Sequence, residues 1–173
     1  MTEQEKELSF IVQNTWIGDV LIASSQNGVC ALYLPRSNPE NLIHKLIRSF
    51  PGYDIKEDMK PNESAIEQLN AYFQGKRKKF TIKLDPLGTP FQQKVWQAVR
   101  EVPYGETRSY GDIARQINNP GASRAVGLAN RNNPIPIFIP CHRIIGSDGS
   151  MTGYGSGIPL KKKLLNLENG IFE

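Results

Sequence analysis

The sequence predicts an α+β chain in two parts: an N-terminal α/β domain carrying an antiparallel sheet (residues 1–86), then a mostly helical C-terminal domain with a helix-turn-helix (residues 87–173). Three observations lead there. Runs of β-branched and aromatic residues, the composition of strands, fill the first part of the chain. The stretch Asp85-Pro86-Leu87-Gly88-Thr89-Pro90 brings two prolines and a glycine together, which interrupts regular structure and marks a boundary. Beyond it the apolar residues recur at helical rather than alternating spacing.

In the first part, residues 8–12 and 16–23 read as strands, and Gln26-Asn27-Gly28 ahead of Val29-Cys30-Ala31-Leu32-Tyr33-Leu34 carries the Asn-Gly signal of a tight hairpin. Adjacent strands therefore run antiparallel. Residues 39–48 read as a short helix. Residues 64–74, with Ile66, Leu69, Tyr72 and Phe73 on one face and Gly75 behind, read as a second. Phe80, Ile82 and Leu84 alternate with polar residues, as in a last strand.

In the second part, Thr89 is placed to cap a helix whose first residue is Pro90, with Phe91, Val95, Val99 and Val102 on one face and Pro103 as the stop. Ser109 with Asp112 three residues later resembles a capping box opening a helix over 110–117, which ends before Asn118-Asn119-Pro120. A third helix covers 122–132 and a last one 159–167. Two short helices joined by a compact Pro/Gly turn are the outline of a helix-turn-helix. The second of them is rich in small residues. Such side chains let a helix approach a surface closely, with Arg124 and Arg131 supplying charge for phosphates or a base stack; tight packing of a helix pair inside a core accounts for them equally well.

Composition is that of an ordinary globular protein, 39% hydrophobic and 22% charged. No apolar run reaches membrane-spanning length and the start, Met1-Thr2-Glu3-Gln4-Glu5-Lys6, is polar, which points to a cytoplasmic protein without a membrane partner. Cys30 and Cys141 lie far apart and are expected as free thiols. The net charge of +4 is all in the second half, where 10 Lys and Arg face 6 Asp and Glu, against 11 and 11 in the first. That asymmetry suggests a polyanion at the C-terminal domain.

The chemistry concentrates in Ile139-Pro140-Cys141-His142-Arg143. A soft sulfur beside a titratable imidazole is what nucleophilic substitution needs, and the thiolate is the attacking form. Adjacent side chains of an extended segment point opposite ways, so a water relay between Cys141 and His142 is expected rather than direct contact.

Pro103-Tyr104-Gly105-Glu106-Thr107, Ser109-Tyr110-Gly111, Ser123-Arg124-Ala125-Val126-Gly127, Asn133-Pro134-Ile135-Pro136, the cysteine motif and Gly153-Tyr154 occur in this order. Together they resemble the O6-alkylguanine-DNA alkyltransferases, also called methylated-DNA:protein-cysteine methyltransferases, over residues 88–170. The resemblance implies a ribonuclease H-like N-terminal domain and a winged-helix-like C-terminal one. It implies transfer of an alkyl group from O6 of guanine, and from O4-methylthymine, in duplex DNA to Cys141. That transfer ends in a thioether, so it is stoichiometric and irreversible. His142 would be the water-mediated base, Glu168 its orienting carboxylate, Tyr110 the proton donor to guanine, and Asn133 the residue tying the helix to the active-site turn. Arg124 would fill the space of the flipped base, with Tyr110, Ser123, Arg131 and Tyr154 completing a minor-groove DNA surface on a monomer.

Two departures from the family stand out. Leu167 replaces a common histidine, with little expected consequence, and Gly155 follows Tyr154 where relatives carry serine, which leaves backbone amides to read the base. No cofactor and no metal are expected: Cys30 and His44 are too few for a zinc site. Lys76-Arg77-Lys78-Lys79 and Lys161-Lys162-Lys163 read as solvated faces, and Glu168, without the resemblance, as a solvated helix-end carboxylate. Three alternatives remain. A non-catalytic alkylated-DNA-binding relative carries tryptophan at the cysteine position. A cysteine hydrolase leaves Arg124 unexplained, and a transcriptional regulator lacks a visible sensor domain.

Overall fold

A computed structural model describes residues 6–35 and 38–171. The polar start at residues 1–5 lies outside them. Its contacts divide the chain into two compact units, Met1–Pro86 and Leu87–Glu173.

In the first unit, β1 (Glu7–Thr15), β2 (Gly18–Ser25) and β3 (Gly28–Tyr33) form the expected antiparallel hairpins. After α1 (Pro39–Ser49), a fourth strand, β4 (Asp54–Glu57), joins β1 in parallel and gives the order β3-β2-β1-β4. The sequence reading missed β4 because Asp54-Ile55-Lys56-Glu57 has one apolar residue and no alternation to read. β2 is central, with Val20, Leu21, Ile22 and Ala23 all fully buried. Leu21 and Ala23 share one cluster with Leu42, Leu46 and Phe50 from α1 and its end, so the sheet face toward α1 is the core. α2 (Glu63–Phe73) buries Ile66, Leu69 and Tyr72 at helical spacing.

The expected strand at Phe80, Ile82 and Leu84 is instead an extended segment with one bridge, Leu84 to Val29. Its ladder cannot propagate. The Thr81 N–H is taken by the Gln68 side chain (2.9 Å), and Pro86 has no N–H to give. Where it does touch β3, contact is tight: a Cβ on Gly28, whose φ is +145°, would lie 2.6 Å from the Lys83 carbonyl oxygen.

In the second unit, α3 (Pro90–Arg100) and α4 (Tyr110–Gln116) each open with a capping box, on Thr89 and Ser109. α5 (Ser123–Arg131) packs against both. Trp96, fully buried, anchors α3 by donating its indole N–H to the Ala129 carbonyl on α5 (2.9 Å). The same ring explains Gly88, where a Cβ would come within 2.4 Å of it. β5 (Arg108–Ser109) pairs in parallel with β6 (Ile144–Ile145), and α6 (Ile158–Glu168) closes the unit. No helix among the described residues is long and apolar enough to cross a membrane.

Candidate active site

Cys141 stands in a turn made by its own backbone. Its N–H donates to the Ile139 carbonyl (2.8 Å) around Pro140, whose φ of −80° and ψ of 62° are those of an inverse γ-turn. A single 3-10 turn, Cys141–Arg143, follows. Four residues before Cys141, the buried Ile137 sits at φ +73°. A β-branched residue there is a backbone outlier costing about 1–3 kcal/mol, of the kind that collects at functional sites.

Asn133, just past α5, fixes the turn. Its Nδ2 donates to the Ile139 carbonyl (2.8 Å) and to Cys141 Sγ (3.2 Å), while its Oδ1 accepts from the Ile135 N–H (2.9 Å). It therefore does more than terminate the helix.

Directly after the thiol in the chain begins a buried charged cluster. His142 Nε2 is 2.7 Å from Glu168 Oε1. Arg143 donates to both oxygens of the same carboxylate, from Nε to Oε2 (2.9 Å) and from Nη2 to Oε1 (2.9 Å), and from Nη1 to the Val102 carbonyl (2.7 Å). The Gly105 N–H completes Oε2 (3.1 Å). The solvated reading of Glu168 is thus corrected: the last residue of α6 is turned inward and is only 6% exposed. Burial by itself would raise the Glu168 carboxyl, but His142 and Arg143 outweigh it and hold the group well below the usual carboxylate range. Burial pushes the His142 imidazole down, toward the neutral form. An ionised carboxylate can only accept, so Nε2 carries the ring proton and Nδ1 is the basic nitrogen.

Lys161 corrects the reading of its lysine run. It is 0% exposed, and its Nζ donates to the carbonyls of Ile144 (2.5 Å) and Thr152 (3.3 Å). Lys162 and Lys163 are exposed as expected. Burial pushes the Cys141 thiol up to about 11, against the Asn133 hydrogen bond and the Lys161 charge, which both pull it down. At rest it is a neutral thiol.

Sequence reasoning assigned no role to Arg143 or Lys161. A signal existed: Lys161, Leu164, Leu165 and Glu168 stand at i, i+3, i+4 and i+7, so both charged groups occupy positions of the apolar stripe.

Tyr110 opens α4 and donates its hydroxyl to the Thr152 carbonyl (2.9 Å). With Ser123, Arg124 and Gly127 it borders an open groove of about 420 Å³ that Cys141 does not line. Arg124 and Arg131 are exposed on α5, Ser123 partly so. Tyr154 lies in the loop before α6 with its hydroxyl oxygen buried. Among the described residues no cluster of His, Cys, Asp and Glu is arranged to hold a metal, and both cysteines are free thiols.

Fold and site together define a class: an α+β protein with a buried cysteine thiol, followed in the chain by an imidazole–carboxylate pair, in a unit carrying a helix-turn-helix. Residues 10–86 match the ribonuclease-like domain, and residues 90–170 the DNA binding domain, of 6-O-methylguanine DNA methyltransferase. The chain belongs to that family. It is 62% identical over 104 residues to a methylated-DNA–protein-cysteine methyltransferase of Mycobacterium bovis, a match covering 60% of this chain and 63% of the relative. To the Methanosarcina barkeri protein of the same name it is 49% identical over 152 residues, covering 88% and 91%. A crystal structure of Mycobacterium tuberculosis OGT in complex with DNA aligns with a TM-score of 0.78 at 42% identity, covering 95% of this chain and 94% of that one.

Proposed function

We propose that this protein repairs duplex DNA by moving the alkyl group of O6-alkylguanine, and of O4-methylthymine, onto Cys141, once per molecule and irreversibly. The observation that carries the reading is the Asn133 amide on a buried cysteine sulfur (3.2 Å), immediately followed in sequence by a His142–Glu168 pair (2.7 Å). That arrangement supports Cys141 as nucleophile, Asn133 as its donor, His142 as base and Glu168 as orienting carboxylate.

Residues 1–86 form the N-terminal α/β domain and residues 87–173 the DNA-binding and alkyl-acceptor domain. A monomer acts in the cytoplasm and approaches DNA through the minor groove. α5 is the approaching element. Packing does not demand glycine at 127, since a Cβ there would meet only the Tyr110 ring at an ordinary 3.8 Å, so its small residues suit close approach to a surface. Arg124 fills the space left by the flipped base, at an unstacking cost of a few kcal/mol. Ser123 and Arg131 hold phosphates, and the Tyr154 loop closes over the base.

The thiol proton passes through a water to His142 Nδ1, the sulfur attacks the alkyl carbon, and the bond from that carbon to O6 breaks. The guanine anion takes a proton from the Tyr110 hydroxyl, which His142 replaces. In net terms, the thiol proton ends on guanine. Tyr110 must release the Thr152 carbonyl to do this. A thioether is no leaving group, so one protein repairs one lesion.

The test is intact mass after incubation with a duplex bearing O6-methylguanine. One methylene is gained on the peptide containing Cys141, and Cys141→Ser gains none. Continued product formation would instead identify a hydrolase.

A further inference from the structure

Tyr154 carries a hydroxyl that the mechanism above does not use. The residue is partly exposed, yet its hydroxyl oxygen is buried and has no hydrogen-bond partner among the described residues. A buried phenol left so gives up the hydrogen bond it would make in water, a cost of about 1–3 kcal/mol. Retaining it calls for a partner that arrives later.

Its place narrows what that partner is. Gly153, just before it, has its Cβ position 3.9 Å from the Tyr110 hydroxyl, and Gly155, just after it, 3.9 Å from the Arg131 carbonyl. Two residues beyond Arg131 is Asn133, whose amide is on the Cys141 sulfur. The residues flanking Tyr154 thus lie beside the Tyr110 hydroxyl and the end of α5, two residues short of Asn133 in the chain. Charges on Cys141 and on Glu168 are both felt at its hydroxyl and, after burial, oppose its ionisation, so it stays a donor.

We infer that the Tyr154 hydroxyl is a catalytic donor, taken up by the Cys141 sulfur once the thiol has lost its proton. A neutral thiol is a weak acceptor, whereas a thiolate takes a charge-assisted hydrogen bond roughly twice as strong as a neutral one. The orphaned state therefore belongs to the resting protein and the satisfied one to the reactive protein. Gly153 (φ +58°) and Gly157 (φ +94°) give the loop the backbone freedom to bring the hydroxyl to the sulfur. The inference rests on the alkyl-transfer reading and adds to it a second donor, beside Asn133, on the nucleophile.

The experiment is the rate of Cys141 alkylation by iodoacetamide across pH, on the full chain without DNA, for wild type and Tyr154→Phe. The other titratable or charged groups that interact with the sulfur are Lys161 from α6 and Tyr110 from α4, with His142 next to it in the chain, and all are unchanged in the variant. Loss of the donor raises the pH midpoint by about one unit and slows the neutral-pH rate roughly tenfold. The melting temperature holds or rises, because an unsatisfied hydroxyl has been removed. A midpoint and rate equal to wild type overturn the inference. So does a clear fall in melting temperature, which would mean that the hydroxyl is already bonded at rest. The two readings fail separately. If wild type takes no methyl group from the lesion while the iodoacetamide profile still shifts, the repair reading falls and the donor stands.

Discussion

The two units hide opposite interiors. In Met1–Pro86 the described buried residues are almost all apolar, with Ser24, Asn62 and Gln68 the polar ones. These satisfy one another or nearby polar groups, as in the Ser24 hydroxyl on Asn62 Oδ1 (2.9 Å). In Leu87–Glu173 the interior holds His142, Arg143, Lys161 and Glu168 around a thiol. Burying charge is costly and seldom adds stability over apolar packing. Among the described residues the buried charges fall in one unit, the one that carries the candidate site, while the other follows ordinary core physics.

The largest expected effect breaks the charged interior. Arg143→Ala leaves Glu168 buried without its bidentate partner, and urea unfolding of the second unit is expected to lose about 3–5 kcal/mol; methyl transfer should fall with it, even under conditions where the variant is folded. The matching cut in the apolar interior is Leu46→Ala, which removes a fully buried side chain at about 2–5 kcal/mol. Here methyl transfer by the folded fraction should be unchanged. Equal losses of transfer in the two variants would erase the distinction.

Lys161→Met comes next. It removes one donor from each of the Ile144 and Thr152 carbonyls, an expected loss of about 1–3 kcal/mol, and it takes away the cation that favours the Cys141 thiolate. Iodoacetamide labelling of Cys141 at neutral pH should slow more than unfolding free energy changes. Smaller still is Ser109→Ala, which deletes one half of the α4 capping box for about 1 kcal/mol.

Acid and base sharpen the same contrast. The His142 imidazole is depressed by burial, so the unfolded chain takes up a proton that the folded one refuses. Stability should fall as pH drops below about 6.5, the ordinary histidine value. Glu168 is depressed as well, and its contribution, complete above about 4.3, is lost further into acid. On the alkaline side Cys141 and Cys30, pushed up by burial to about 11 and about 12, cost stability as pH rises past about 8.5, where the unfolded thiols ionise. Cys141→Ser and Cys30→Ser should each remove part of that alkaline slope in urea titrations.

Legibility in the sequence follows the same division. Hydrophobic pattern and turn chemistry revealed β1 to β3, α1 to α6, the Thr89 cap and the Ser109–Asp112 capping box, because those signals are local. β4 was silent, since a short polar edge strand is held by its neighbour's backbone. The alternating Phe80-Ile82-Leu84 segment misled, because Gln68, thirteen residues away, takes the Thr81 N–H that a ladder would need. In the site, the Cys141-His142 pair and Asn133 stand close together in the chain. Glu168 was legible only through resemblance, and Lys161 was hidden in a run of three lysines. Which lysine turns inward depends on the phase of α6 against the cysteine turn, and that is settled by packing.

The central claim is that the sulfur of Cys141 is the final resting place of the lesion's alkyl carbon. It is tested most directly by titrating the protein with excess O6-methylguanine duplex and counting restored guanines against S-methylated Cys141. Both counts should stop together at one per protein. Guanine restored beyond that point, or restored while Cys141 stays unmodified, would contradict the account.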